Sequence, residues 1–84
     1  VVPTLTVTAA GGLDQATWGA VTVPAQVAVE RSSDDGVTWT RVSPWLPETA
    51  IGYDVPALPG TRQYRLVLRG GQGSRAIGPA VTPA

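Results

Sequence analysis

The sequence predicts an all-β sandwich of seven short strands, built as a single domain over residues 1–84, and three observations carry that expectation. Ten glycines and eight prolines are spread along the 84 residues, and no window places apolar residues at helical spacing without a Pro or Gly interrupting it. Short runs alternate apolar and polar residues with period two, bounded by turn residues at intervals of about 8 to 12. A chain of this length supports one core, because it buries only about 60–65% of the surface its unfolded form exposes.

The first strand is expected over Leu5 to Thr8, with Leu5 and Val7 on one face and Gly11-Gly12 turning the chain. A second runs from about Gln15 to Trp18 with Ala16 and Trp18 inward, and a third from Ala25 to Arg31 with Val27 and Val29 inward. The polar stretch Ser32 to Gly36 then makes a hairpin turn into a fourth strand, Thr38 to Val42. Ser43-Pro44-Trp45-Leu46-Pro47 cannot supply consecutive ladder donors, since two of its residues lack a backbone N–H, and it reads as a loop. Ile51, Tyr53 and Val55 alternate in a fifth strand; Tyr64, Leu66 and Leu68 alternate in a sixth; Gly70-Gly71-Gln72-Gly73 forms a hairpin tip. The last strand, about Ser74 to Thr82, contains Pro79 and is therefore expected to be interrupted or peripheral.

Composition narrows the chemistry. Six arginines balance six acids, so the chain lacks the net positive field that non-specific nucleic-acid binding draws on, and nucleic acid is not an expected partner. Cysteine and histidine are both absent, which removes disulfides, thiolate or imidazole metal sites and the usual nucleophile–base pairs. No apolar run approaches the roughly 18 residues of a membrane-spanning helix, and no membrane partner is expected.

The stretch Tyr53-Asp54-Val55-Pro56-Ala57-Leu58-Pro59-Gly60-Thr61, followed by Tyr64-Arg65-Leu66-Val67-Leu68, resembles the E to F region of fibronectin type III domains. Trp18 stands where that family has its B-strand tryptophan, and Val27 to Arg31 is similar to its C strand. The resemblance implies a seven-stranded immunoglobulin-like sandwich. It also implies that Tyr64 is a corner tyrosine whose hydroxyl bonds upstream main chain near Leu58 to Gly60. Asp14 departs from the family pattern, which has an inward apolar residue there; Leu13 is expected to take that role through a bulge.

Ser32-Ser33-Asp34-Asp35-Gly36-Val37-Thr38-Trp39 matches the Asp-box pattern of sialidase-type propellers. A single copy cannot build a propeller, and two adjacent carboxylates fall short of the six to eight oxygens calcium takes. The motif therefore reads as a structural turn: Asp34 accepts backbone N–H bonds, Gly36 takes positive φ and Trp39 covers the hairpin base. The carboxylates stand in no catalytic context, and no cofactor, metal or enzymatic activity is expected.

Trp45, held between Pro44 and Pro47, and Arg65 and Arg69, which share an outward face, are the candidate partner contacts. The tryptophan either folds back over the sheet edge or stacks on a sugar. The arginines either pair with acids across the sheet or meet an acidic glycan. Function is expected to be that of a non-catalytic structural spacer in a larger multidomain protein, its partners the neighbouring domains. The family resemblance implies an extracellular or phage-tail (virion) setting. The alternative is an adhesion module that binds a glycan or cell-surface receptor through the Trp45 loop and the Arg65/Arg69 face.

Overall fold

The computed structural model describes residues 2–21, 25–70 and 75–83. Within them the chain is all-β, built as two antiparallel sheets that face each other across one core. The strands are β1 (Leu5–Ala10), β2 (Leu13–Trp18), β3 (Ala25–Ser32), β4 (Thr40–Arg41), β5 (Gly52–Pro56), β6 (Gln63–Gly70) and β7 (Arg75–Ile77). The first sheet has the order β1-β2-β5 and the second β4-β3-β6-β7.

Alternation places the core. Leu5 and Val7 from β1, Ala16 and Trp18 from β2, and Val55 from β5 meet Val27, Val29, Tyr64, Leu66 and Leu68 from β3 and β6. Fully burying a Val or Leu side chain contributes about 1.5–3 kcal/mol, so this cluster is the principal source of stability in a chain without disulfides. Tyr53 packs at its margin. Leu58 does not join it: spacing places it inward, but it follows the end of β5 in a loop and stays 45% exposed. Ile51, expected in the fifth strand, lies just ahead of β5 and is also exposed.

The Gly11-Gly12 turn joins β1 to β2 with only these two residues outside the Ala10–Leu13 pair, and both have positive φ, the conformation a two-residue hairpin needs. Proline sets the shape of the far edge. β7 pairs with β6 as far as Ile77 and Gly78 still donates to Leu66; Pro79 then breaks the ladder, which resumes at Val81 opposite Tyr64. The interruption expected there is present, on an edge strand. The tip at Gly71-Gln72-Gly73 lies outside the described residues.

No bulge forms at Asp14. The β1–β2 and β2–β5 ladders run unbroken past it, so Asp14 shares the inward face of Ala16 and Trp18 and is fully buried, while Leu13 is only half-buried on the opposite face. Burial of a carboxylate requires compensation, and the second sheet provides it. Arg62 donates from Nε to Asp14 Oδ2 and from Nη2 to Oδ1 at 2.8 Å, and the Tyr64 hydroxyl donates to Oδ2. The expected corner bond from Tyr64 to main chain near Leu58 to Gly60 is thus replaced by a bond to a side chain across the sandwich.

Candidate functional site

The outward face of the four-stranded sheet gathers four of the six arginines and two of the three tryptophans. The β3–β6 register sets Gln26 opposite Arg69, Ala28 opposite Val67 and Glu30 opposite Arg65 on that face. Ala28 and Val67 are 0% and 2% exposed although they belong to the outer side, away from the core cluster. Arg65 and Arg69 flank Val67 at two residues on either side, and each carries an indole against its guanidinium. Together they shield the apolar pair beneath.

Trp45 reaches this face because β4 is interrupted. With Glu30 opposite Arg41, an unbroken ladder would set Val27 opposite Pro44; Val27 instead pairs with Leu46, so two residues are extra. Pro44 has no N–H to contribute. The Val29 N–H is satisfied by the Ser43 hydroxyl oxygen at 2.9 Å, and that hydroxyl donates to the Pro44 carbonyl. Leu46 then exchanges two backbone bonds with Val27. Val42 and Leu46 face the core, and Trp45 is left half-buried with Arg69 at 4.1 Å, Arg41 at 5.2 Å and Arg75 at 5.9 Å from its ring centre. The indole lies back over the sheet, one of the two arrangements its loop allows.

The expected contact residues therefore separate into two groups. Arg65 bonds Glu30 at 2.7 Å and lies 4.3 Å from the Trp39 ring, so its charge is matched within the sheet. Arg69 bonds only the neutral Gln26 amide oxygen, and among the described residues no carboxylate pairs with Arg69, Arg41 or Arg75. Three unmatched guanidinium groups thus converge on one indole in a chain of zero net charge. Arg41 and Arg75 come from separate strands and carry no sequence signal linking them to Trp45. Beside Arg69 lies an open groove of about 480 Å³, bordered by Gln26, Pro47, Glu48 and Thr49 and floored by Ala25 and Gly70.

The turn at Asp34 closes on itself. Its carboxylate accepts from the Thr38 N–H at 2.9 Å, the Thr38 hydroxyl at 2.6 Å and the Ser32 hydroxyl at 2.7 Å. Those donors, the Thr38 hydroxyl foremost, then its N–H, then Ser32, hold the Asp34 carboxyl down at about 2. Gly36 has φ 86° and Asp35 φ 59°, and the Trp39 indole N–H donates to the Gly36 carbonyl at 3.1 Å.

No family model, curated protein or solved structure matches this chain. The Asp14 carboxyl is held below the ordinary carboxylate range by Arg62, against the opposing effect of burial and with help from Tyr64. Burial, then the neighbouring Asp14, pushes the Tyr64 hydroxyl up. With Asp14 ionised, the Tyr64 hydroxyl neutral and both satisfied, these groups fasten one sheet to the other.

Proposed function

We propose that this domain is a non-catalytic structural spacer, fibronectin type III-like, within a larger multidomain protein. The assignment to an extracellular or phage-tail setting is part of the proposal and rests on the sequence resemblance alone. The fold proposal is supported by the sheet membership, since β1-β2-β5 and β4-β3-β6-β7 correspond to the A-B-E and C′-C-F-G strands of an immunoglobulin-like sandwich.

The observation that carries the spacer reading is the direction of the chain. β1 begins at Leu5 opposite Trp18, at the end where Trp18 bonds the Ile51 and Ala50 carbonyls. The chain runs out past Val81, which pairs with Tyr64 beside Asp14, towards the end where Gly12 bonds Ala57. β1 thus starts, and the residues after Val81 run out, towards opposite ends of a body whose longest dimension is 36 Å, while Val2, ahead of β1, packs against Gly78 on the edge strand. The Asp14–Arg62–Tyr64 bonds tie the two sheets together near the exit, where pull on the chain would be felt.

The absence of cysteine allows a direct test. Spin labels at Thr4→Cys and Thr82→Cys should lie about 17 Å apart, since about five strand rises of 3.4 Å separate their levels. A distance below about 10 Å would place entry and exit together and defeat the spacer reading.

A further inference from the structure

Three guanidinium groups without acidic partners, gathered around an indole that cannot offer them a counter-charge, are an anion-recognition arrangement. The Arg69 guanidinium lies over the Trp45 ring at 4.1 Å from its centre, and since its Nε and Nη2 donate to the Gln26 oxygen, its remaining Nη N–H groups are the ones left for a carboxylate or sulfate. Arg41 and Arg75, from the strands on either side, complete the set at 5.2 and 5.9 Å. Stacking fixes the side chain of Arg69 before any ligand arrives, which lowers the ordering cost of binding. It also removes Trp45 as a sugar-stacking platform on the face Arg69 covers. The indole serves to hold the cation.

The adjoining groove decides the class of ligand. Arg69 borders both the indole cluster and the groove, with its partner Gln26 beside it, and Glu48 and Thr49 also line the groove. Gln26 accepts from Arg69 through its oxygen, which leaves its amide N–H groups for a ligand. A polyacidic peptide entering here would set its next charge against Glu48. A saccharide carrying one anionic group per two rings would not: its charge meets the arginines, and the uncharged neighbouring ring meets Glu48 and Thr49 with its hydroxyls and Pro47 and Ala25 with its C–H face.

We infer that the outer face of the four-stranded sheet binds an acidic saccharide, with Arg41, Arg69 and Arg75 taking its carboxylate or sulfate and the groove at Glu48 and Thr49 taking a neighbouring ring. This stands beside the spacer reading and does not depend on it. Arg65 is not part of the site, because Glu30 already neutralises it.

The domain, labelled with ¹⁵N, is titrated at low salt with a short hyaluronan oligosaccharide, with a keratan oligosaccharide carrying one sulfate per disaccharide, with the carboxyl-reduced neutral hyaluronan oligosaccharide and with poly-L-glutamate. The expected result is a shift of the Trp45 indole and Gln26 amide resonances with the carboxylated saccharide, with the sulfated one or with both, and none with the neutral sugar. The Arg69→Gln, Arg75→Gln pair should weaken binding by about tenfold or more, as loss of two charge-assisted contacts does. Arg41→Gln, on an exposed edge, should weaken it to a smaller extent with the fold intact, and Arg65→Gln should leave it unchanged. Silence with both acidic saccharides, equal binding of the neutral sugar, equal or tighter binding of poly-L-glutamate, or an Arg65→Gln loss as large as that of the Arg69 and Arg75 pair would each overturn the inference.

Discussion

The two outer faces of the sandwich are finished in different ways. On the three-stranded sheet the outward positions Thr6, Thr8, Gln15, Thr17 and Asp54 are exposed, and water completes the surface. On the four-stranded sheet Ala28 and Val67 lie under a layer of arginines and tryptophans, so its two central strands are buried on both sides. The sequences of the strands reflect this. β1 and β2 alternate strictly where they are buried, whereas Val27-Ala28-Val29 and Leu66-Val67-Leu68 are continuous buried runs, the pattern of strands covered on both faces. A charged surface can therefore be a packing layer as well as a solvated one.

The largest test concerns the bond that joins the faces' two sheets. Asp14→Ala should cost about 3 kcal/mol in chemical denaturation, because it leaves the Tyr64 hydroxyl without its partner and opens a void. A loss under about 0.5 kcal/mol would mean that the sheets hold together by apolar contact alone.

Next come substitutions that set one face against the other. Val67→Thr should cost about 1–2 kcal/mol, since it buries a hydroxyl under the arginine layer, whereas Thr17→Val on the uncovered face should stay within about 0.5 kcal/mol. Equal effects would show that the layer does not exclude water. Tyr64→Phe should cost on the order of 1 kcal/mol, by removing one of the three bonds to Asp14 while leaving the ring in the core.

The smallest effect is one of pH. The Asp34 carboxyl, lowered from 3.8 to about 2, adds stability that is fully present above 3.8 and is lost as pH falls through about 2. Asp14, lowered in the same direction, adds to the loss in that acid range. The stability difference between the wild type and Asp34→Asn should accordingly shrink as pH is taken from about 5 to about 2. A constant difference would mean that the turn does not depend on the carboxylate's charge.

How much of this was legible in the sequence follows from the reach of each interaction. Alternation gave the strands and most of the core, because a pleated strand turns every second residue to the same side. Ser32, Asp34, Gly36 and Thr38 announced their turn, since every bond in it closes within four residues. Asp14 was expected to yield the inward place to Leu13 through a bulge, and the unbroken ladder kept it inward instead. Its partners could not be read, because Arg62 and Tyr64 lie 48 and 50 residues away and meet it only when the sheets stack. Leu58 shows the converse: matching spacing alone did not bury a residue that falls just beyond its strand. The arginines were equally visible and equally anonymous. Pairing of the outward arginines with Glu30 was expected; only the pairing of four strands decided that Arg65 would take it, and that Arg41, Arg69 and Arg75 would meet over Trp45 with no acid among them in the described residues. Sequence determines what lies within a turn or along a strand, where covalent geometry sets the distance; the choice among like charges is made by sheet register and packing.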